Sequence, residues 1–431
     1  MDREYKRLID KYLQDMLTEI PAISIEGLKG VGKSVSASKL ANTVFELDHR
    51  WDRTLIENDI GALSREPLPV LIDEWQKVPE VWDYVRRMAD KGGAPGSFLL
   101  TGSAKNQNYD IHSGAGRILK VRMYPLSLEE REIEKPTVSL SRLLDQKTPF
   151  SAEITGTTKI GFVTYIEEIL SSGLPAIRHY SEKRRRQMLE TYLEYLLSHE
   201  FQQEGIKIRQ PRTLRRWLAA YAAATSSDTS YGEILDASTP GERKKPAART
   251  TISYREALER FWLIDELPTW LSGEDYFSRL KTTPKHYLAD PALTAHLLNF
   301  DLKTLTKSNS GSSAPVTIFD NKAGGITGRL FESLIHLCLK TYTTVSDADL
   351  SYIKTRNGDH EIDFIVERGS DVIAIEVKMS QEITNNDVRH LKWLRDNLKG
   401  KLIDALVVNT GPVAYRRDDG VAVVPAALLG Q

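Results

Sequence analysis

The order of apolar and polar positions predicts strands alternating with helices in the first part of the chain. Three apolar runs have the length of strands, namely "AISIE", "LPVLID" and "GSFLL". A helical pattern follows each of the first two runs. The N-terminal segment places five side chains on one helical stripe: Tyr5, Leu8, Ile9, Tyr12 and Met16. We therefore predict an α/β domain that begins with an amphipathic helix.

The middle of the chain has a helical pattern. It extends from about Gly161 to Gln202, which we interpret as a helical lid. Three candidate helices follow, in "RQPRTLRRWLAAYAAATS", "YGEILDAST" and "TTISYREALERFWLIDELPTW". The third leads into a strand, and "KHYLAD" offers a second strand. Three helices with a two-stranded wing describe a winged helix-turn-helix.

The pattern changes again near the C-terminus. "TGRLFESLIHLCLKTY" predicts a helix, and "EIDFIVERGSDVIAIEVK" predicts two strands joined by a Gly-Ser-Asp turn. "NNDVRHLKWLRDNLKGK" and "LIDALVVNT" predict a further helix and strand. In the second strand of the pair, apolar residues alternate with a set that includes Glu376 and Lys378. Because a buried charge is costly unless it is paired or binds a metal, these two residues require an explanation.

Composition limits the class of protein. The chain has 431 residues, which suggests several domains, and its apolar (41%) and charged (27%) fractions are ordinary for a globular protein. A single cysteine, Cys338, excludes an internal disulfide and fits a reducing compartment. No apolar run reaches the ~18 residues of a membrane helix, and acidic residues interrupt the N-terminal stripe. We predict a cytoplasmic protein with no membrane partner. The net charge of −1 gives no overall bias toward nucleic acid.

A glycine loop after the first strand predicts a nucleotide site. "GLKGVGKS" fits G-x-x-x-x-G-K-[ST] at Gly27, Gly32, Lys33 and Ser34, with Gly30 inside the loop. Glycines allow backbone N–H groups to surround phosphate oxygens, the lysine reaches the β- and γ-phosphates, and the hydroxyl binds Mg²⁺. We therefore predict that ATP and Mg²⁺ bind here.

The ends of the next two strands carry the remaining groups of such a site. Asp73 and Glu74 follow "LPVLI", about forty residues after the loop. We assign Asp73 to the Mg²⁺ ion and Glu74 to activation of the attacking water. Thr101 and Ser103, at the end of "GSFLLTGSA", are predicted to sense the γ-phosphate or that water. An acidic helix cap and a turn-forming hydroxyl are the simpler alternatives.

The order of these motifs resembles the AAA-type ATPases of bacteria and archaea that end in a C-terminal domain of unknown function. The resemblance covers nearly the whole chain and rests on "GLKGVGKS", "VLIDEWQKVPEVWDYVRRMAD", "FLLTGSA", "GRILKVRMYPLSLEE" and "SSGLPAIR". It implies ATP hydrolysis, a winged helix in the middle region, and a ring or dimer as the oligomer. Arg117 or Arg122 is a candidate arginine finger, although a solvated surface arginine is the more common alternative. A long polar insert near residue 240 departs from the pattern.

The C-terminal elements resemble the PD-(D/E)xK nuclease superfamily. Glu332 on the helix, Asp363 on the first strand, and Glu376 and Lys378 on the second follow that superfamily's order. Two carboxylates with the Val377 carbonyl would suit Mg²⁺ or Mn²⁺, and Glu332 would reach the same ion. Lys378 would position or deprotonate the attacking water. The alternatives are a surface salt bridge between Glu376 and Lys378, or a nuclease fold kept as an inactive scaffold.

DNA is the expected macromolecular partner. Seven basic residues of the middle region could contact phosphates: Arg212, Arg215, Arg216, Arg243, Lys244, Lys245 and Arg249. Winged helices also serve as protein contacts, so this alternative remains open. Two polar stretches, "DASTPGERKKPAART" and "KSNSGSSAPV", are predicted to be a loop and a linker.

Together these predictions describe an α/β multidomain protein. The predicted domains are a P-loop NTPase (AAA-like) domain at residues 1–150, a helical lid at 151–205, a winged helix at 206–300 and a PD-(D/E)xK nuclease-like domain at 315–431. The first function hypothesis is an ATPase coupled to a metal-dependent DNA nuclease, in DNA processing or defence. The alternative is an ATP-driven switch or binding protein whose nuclease fold is inactive and acts on nucleic acid or a protein partner.

Overall fold

The computed structural model describes residues 4–104, 116–201, 211–239, 248–270, 283–307, 325–355, 357–398 and 400–431. The chain divides into two compact units. The first contains Met1–Pro125 with Leu258–Leu263, and the second contains Leu126–Ala257 with Ile264–Gln431. Three of the predicted phosphate contacts (Arg243, Lys244, Lys245), the side chain of Arg249 and the linker-like stretch near residue 310 lie outside the described residues.

A five-stranded parallel sheet forms the centre of the first unit. Its strands are β1 (Ala22–Glu26), β2 (Thr43–Glu46), β3 (Val70–Asp73), β4 (Phe98–Gly102) and β5 (Leu119–Arg122), in the order β2-β3-β4-β1-β5. The carboxyl ends of parallel strands meet at one edge. The phosphate-loop strand β1 and the acidic strand β3 are separated only by β4, so the predicted site residues share that edge.

Helices pack against this sheet through their apolar faces. They are α1 (Leu8–Met16), α2 (Lys33–Ser38), α3 (Arg50–Asn58) and α4 (Glu80–Asp90), with 3₁₀ turns at Ile60–Ser64 and Trp75–Lys77. In α1 the predicted stripe buries Ile9, and Leu13 is buried beside it. Trp75 and Trp82 pack with ring centroids 4.8 Å apart in the core that lies against the sheet. Burial of these large aromatic surfaces is a main source of this unit's stability.

The second unit begins with helices. They are α5 (Leu140–Leu144), α6 (Phe162–Ser171), α7 (Pro175–Arg178), α8 (Glu182–Tyr195), α9 (Pro211–Ala223), α10 (Tyr231–Ser238), α11 (Ala248–Arg260), α12 (Pro291–Leu297) and α13 (Leu302–Lys307); α11 continues into the first unit. The last turn after α8 is a π-helix at Leu196–Glu200. Ser230 and Glu233 form a capping box that fixes the start of α10. Within the described ranges, we find no helix that is both long and apolar enough to span a membrane.

A six-stranded mixed sheet forms the C-terminal part of the second unit. After the long helix α14 (Gly325–Val345) come β7 (Asp349–Lys354), β8 (Glu361–Arg368), β9 (Asp371–Val377), helix α15 (Arg389–Leu398), β10 (Leu402–Asn409), β11 (Tyr415–Arg416) and β12 (Ala422–Pro425). The sheet order is β11-β12-β10-β9-β8-β7, and β8 and β9 form the predicted hairpin. A separate two-stranded parallel pair joins β6 (Val138–Ser139) to β13 (Leu429–Gly430).

The strand that carries Glu376 is buried on both faces. β9 lies between β8, its antiparallel partner, and β10, its parallel partner. All of its residues except Asp371 are buried, and Glu376 is 2% exposed. The alternation in the sequence therefore does not separate a buried face from an exposed one. The alternative of a solvated surface salt bridge does not describe Glu376.

The segment after α11, residues 264–270, forms backbone hydrogen bonds with two other parts of the chain. Ile264 and Leu267 form antiparallel bridges to Leu288 and Lys285, which is the pairing expected of a two-stranded wing. The same segment continues to the edge of the C-terminal sheet. There Trp270 N–H donates to the Tyr352 carbonyl on β7 (2.7 Å), and Tyr352 N–H donates to the Pro268 carbonyl (3.0 Å). The segment therefore extends the sheet beyond β7.

Candidate functional site

The phosphate loop, residues 27–34, connects β1 to α2. The Lys33 ammonium is buried and donates hydrogen bonds to the carbonyl oxygens of Gly27 (2.9 Å) and Leu28 (3.1 Å). Gly27, Gly30 and Gly32 have φ values of 149°, 83° and 100°, which favour glycine. A Cβ atom at Gly30 would meet no atom within 4 Å, so space is open beside the loop. These residues fit a phosphate group.

The predicted carboxylates and hydroxyls lie at the adjacent strand ends. Ser34 Oγ donates to Asp73 Oδ1 (2.7 Å), and Thr101 Oγ1 donates to the same oxygen. Ser103 Oγ donates to Glu74 Oε2 at 3.1 Å. The structure thus brings together these five residues, and each hydroxyl is bonded to a carboxylate. A hydroxyl beside an ionised carboxylate is the donor set that suits Mg²⁺.

Glu74 has an unusual environment. Its φ of 52° and ψ of 46° lie in the left-handed region, immediately before the 3₁₀ turn at Trp75–Lys77. Gln76, not predicted as a site residue, donates a hydrogen bond to Glu74 Oε2. Burial raises the pKa of Glu74, the attraction of Lys33 opposes this shift, and the nearby Asp73 adds to it. A raised pKa makes this carboxylate a stronger base once it is ionised.

Sequence reasoning missed one arginine beside the loop. The Arg7 guanidinium is buried and donates to the carbonyl oxygens of Val31 (2.5 Å) and Tyr124 (2.7 Å). It therefore connects the loop to the chain that follows β5. Arg7 lies 24 and 117 residues from its two acceptors, so no local pattern in the sequence indicates this role.

The two candidate arginine fingers bind within their own unit. Arg117 forms an ion pair with Asp90. The Arg122 guanidinium carbon lies 4.6 Å from the ring centroids of both Tyr124 and Trp262. These contacts give both arginines a local packing or pairing role, and the finger remains a prediction.

Replacing Gly27 by alanine is expected to weaken ATP binding by about tenfold or more. A Cβ atom there would lie 2.2 Å from the Met123 carbonyl oxygen, and the φ of 149° disfavours other residues. The loop would have to move. Titration with a fluorescent ATP analogue measures the effect. The matched control is Gly92→Ala, where φ is 82° but a Cβ atom meets nothing within 4 Å. Equal affinity of the Gly27 variant and wild type would contradict this account of the loop.

The predicted nuclease-like residues Asp363, Glu376 and Lys378 lie close together at the end of β9. The Val377 N–H donates to Asp363 Oδ2 (3.0 Å), and the Lys378 ammonium donates to Glu376 Oε2 (2.9 Å). The other Glu376 oxygen is buried and has no hydrogen-bond partner among the residues that the structure describes. Burial and the neighbouring Asp363 raise the pKa of Glu376 well above its usual value. Burial opposes ionisation of Asp363, but Lys285 and Lys378 lower its pKa to about 2.

Two of the predicted metal ligands, Glu332 and Asp363, are paired with a lysine in the structure. Lys285, which sequence reasoning did not identify, binds both Glu332 (3.1 Å) and Asp363 (3.0 Å) through its ammonium. Across the described ranges, no three His, Cys, Asp or Glu side chains are grouped so that they could hold a metal ion. The residues present therefore do not fit Mg²⁺ or Mn²⁺ here, because a lysine occupies the space between the carboxylates.

The remaining basic residues of the middle region lie on α9. Arg212, Arg215 and Arg216 line one open depression together with Ala219. Arg215 also forms an ion pair with Glu190 (2.6 Å). Three arginines on one surface suit phosphate contacts, and DNA binding remains a prediction.

Three family models match separate parts of the chain. Residues 19–132 match the model described as an AAA domain. Residues 163–304 and 327–429 match two models described as domains of unknown function (DUF8612 and DUF4143). The first match confirms the prediction of a P-loop ATPase domain. The other two leave the winged helix and the nuclease-like domain as predictions.

Similar proteins span most of the chain. "Uncharacterized protein Rv2008c" of Mycobacterium tuberculosis and "Uncharacterized protein Mb2031c" of Mycobacterium bovis are each 22% identical over 423 residues, covering 96% of this chain and 82% of theirs. A solved structure, the Walker-type ATPase PABY2304 of Pyrococcus abyssi, is 15% identical with a TM-score of 0.38, covering 67% of this chain and 94% of that one. The most specific of these similarities is the match of residues 19–132 to the AAA domain model, which agrees with the phosphate-loop motif in the same part of the chain.

Proposed function

We propose that this protein hydrolyses ATP and acts as an ATP-driven switch. The observation that carries the proposal is the bonded set Ser34–Asp73–Thr101 beside the phosphate loop. A hydroxyl from α2 and another from β4 both donate to the carboxylate at the end of β3. The three elements that would change on nucleotide binding are thereby linked through one oxygen atom.

Each group of the site has a role in this proposal. Lys33 releases the carbonyls of Gly27 and Leu28 and binds the β- and γ-phosphates. Ser34 and Asp73 would hold Mg²⁺, which would neutralise charge on the phosphates. Glu74, held by Ser103 and Gln76, orients the attacking water and accepts its proton. Because Ser103 follows β4, loss of the γ-phosphate can be transmitted to that strand.

A metal-dependent DNA nuclease, in DNA processing or defence, is the second candidate function. The proximity of Asp363, Glu376 and Lys378 favours it, because these residue types meet as the PD-(D/E)xK resemblance implies. The position of Lys285 between Glu332 and Asp363 favours the alternative, in which the C-terminal domain binds nucleic acid or a protein without cutting. We therefore place the switch first.

One experiment separates the two functions. Purified protein is incubated with ATP and with supercoiled, linear or single-stranded DNA, in Mg²⁺ or Mn²⁺. We expect ATP turnover without DNA cleavage, and we expect Lys33→Ala to lose the turnover because it removes the phosphate-binding ammonium. Lys91→Ala, an exposed lysine of the same unit, is the control and should retain turnover.

Either part of the proposal can fail independently. DNA cleavage that disappears in Glu376→Gln would establish the nuclease and reject the non-cutting switch. Equal ATP turnover in Lys33→Ala and wild type would reject the assignment of the ATPase site.

A further inference from the structure

A buried lysine lies at the centre of the C-terminal carboxylates. Three carboxylate oxygens surround the Lys285 ammonium: Glu332 Oε1 at 3.1 Å, Glu361 Oε1 at 3.2 Å and Asp363 Oδ1 at 3.0 Å. Lys285 is 1% exposed. Two of these oxygens, on Glu332 and Asp363, accept hydrogen bonds from the ammonium, and Glu361 forms an ion pair with it. We call Glu332, Glu361, Asp363 and Lys285 the lysine-filled pocket.

Backbone pairing fixes the position of this lysine. Lys285 N–H donates to the Leu267 carbonyl (3.0 Å), and Leu267 N–H donates to the Lys285 carbonyl (2.9 Å). Two residues later on the same side of the segment, the Tyr287 hydroxyl donates to Glu332 Oε1 (2.6 Å). The Lys285 ammonium also lies 5.3 Å from the centre of the Tyr352 ring. The ammonium is therefore held in place on several sides.

The two neighbouring lysines are bound to other carboxyl groups and do not contact Glu332 or Asp363 in place of Lys285. Lys354 binds Glu361 on its other oxygen (2.9 Å) and also binds Asp228 (3.0 Å). Lys378 binds only one oxygen of Glu376, whose other oxygen is buried and lacks a hydrogen-bond partner in the part of the chain described. Buried carboxylates without a compensating cation are strongly destabilising. Removing Lys285 would leave Glu332 and Asp363 without their shared cation.

A divalent cation and this ammonium compete for the same oxygens. Mg²⁺ and Mn²⁺ prefer carboxylate oxygens, which are the groups that bind Lys285. A divalent ion placed on those oxygens would lie beside a like-charged group in a region of low dielectric, where repulsion is strong. Only one of the two cations can occupy the pocket.

We propose that the Lys285 ammonium is the resident cation of this pocket, and that removing its side chain converts the pocket into a binding site for a divalent metal ion. Once the Lys285 side chain no longer lies between them, Glu361 and Asp363 on β8 and Glu332 on α14 would supply the oxygen ligands of that site. Lys285 precedes α12, outside the strand and helix that carry these ligands. The state of the pocket therefore depends on how this segment packs against the C-terminal sheet. The inference does not depend on ATP hydrolysis.

Metal binding by the full-length, nucleotide-free protein tests the proposal. Mn²⁺ uptake is measured by the loss of the free-ion signal in electron paramagnetic resonance. We expect Lys285→Ala to bind Mn²⁺ at least about tenfold more tightly than wild type. The gain should be lost in Lys285→Ala/Asp363→Asn, which locates the ion in the pocket. Lys392→Ala, which removes a partly exposed lysine from an ion pair with Asp419 in the same unit, is the control and should behave as wild type.

Thermal unfolding provides a second readout. In a chelator, Lys285→Ala should unfold at a lower temperature than wild type, because its carboxylates lack a cation. Added Mn²⁺ should raise the unfolding temperature of the variant and leave that of wild type unchanged. If Lys285 only filled space, added Mn²⁺ would not raise the unfolding temperature of the variant.

Two results would overturn the proposal. The first is Mn²⁺ binding by wild type that is lost in Asp363→Asn, since a metal would then share the pocket with the lysine. The second is a folded Lys285→Ala variant that takes up no Mn²⁺. If that variant does not fold, Lys285→Ala/Glu332→Gln restores the charge balance while Glu361 and Asp363 remain as ligands. Absence of Mn²⁺ binding in this double variant would equally reject the proposal.

Discussion

Replacing Glu74 by glutamine is expected to lower the rate of ATP hydrolysis by about 10²–10³-fold or more while ATP still binds. Glutamine keeps the size of the side chain and an oxygen that can accept the hydrogen bond from Ser103. It cannot accept a proton from the attacking water. Phosphate release measures turnover, and a fluorescent ATP analogue measures binding. The expected result is a variant that binds ATP as wild type does but releases phosphate much more slowly.

A pH profile extends this prediction. A base must be ionised to act, so turnover falls as the pH decreases through the pKa of Glu74. Burial raises that pKa, so the acid limb of the profile should lie above the pKa of an ordinary glutamate. The control is Glu80→Gln at an exposed position on α4, which should hydrolyse ATP as wild type does. Wild-type turnover in Glu74→Gln would remove Glu74 from the mechanism.

Replacing Arg131 by methionine is expected to lower the free energy of unfolding by about 3–5 kcal/mol. The side chain of Arg131 is fully buried and donates to Glu168 at both its carbonyl oxygen (2.7 Å) and Oε2 (3.0 Å). Arg178 binds the same carboxylate but does not replace the lost donor. The substitution therefore leaves a buried carboxylate partly unpaired. Urea unfolding monitored by circular dichroism measures the loss.

The same ion pair has a defined pH dependence. Burial opposes ionisation of Glu168, but Arg131 and Arg178 lower its pKa below the usual value. A depressed pKa in the folded state stabilises the protein above the unfolded-state pKa, and this stabilisation is lost as the pH falls through the folded value. Arg131→Met should reduce that dependence.

Two variants check the origin of this effect. The double variant Arg131→Met/Glu168→Leu removes both charges and should recover much of the lost stability. Arg142→Met, at an exposed position, should change the free energy of unfolding by no more than about 0.5 kcal/mol. A loss below about 1 kcal/mol in Arg131→Met would show that the pair is not structurally important.

The grouping of the predicted nucleotide-site residues could be foreseen because their signals are local. The loop from Gly27 to Ser34 is contiguous, Asp73 ends an apolar strand, and Thr101 is the next-to-last residue of another. Strand ends of a parallel sheet converge, so the convergence follows without further information. The β8–β9 hairpin was likewise visible, because turn residues separate two apolar runs, although its turn is only Gly369 and Ser370 and the predicted turn residue Asp371 begins β9.

The lysine-filled pocket was not predictable in this way. Lys285 lies 47 residues from Glu332 and 78 residues from Asp363, and no periodic pattern connects such distant positions. The alternation of β9 also gave no warning that both of its faces are buried, since that depends on its neighbours in the sheet. Spacing within the C-terminal domain identified the carboxylates, but the cation beside them comes from another segment.

The backbone of residues 268–270 also affects self-association. By exchanging hydrogen bonds with Tyr352, these residues pair with part of β7, an edge strand whose unpaired backbone groups could otherwise bond to a second chain. At the opposite side of this sheet, β11 has only two residues. Over the described residues, one edge of this sheet is therefore partly paired and the other is short, which reduces the edge available for intermolecular strand addition. We expect the resistance of this protein to aggregation to depend on a segment far from the nucleotide site in the sequence.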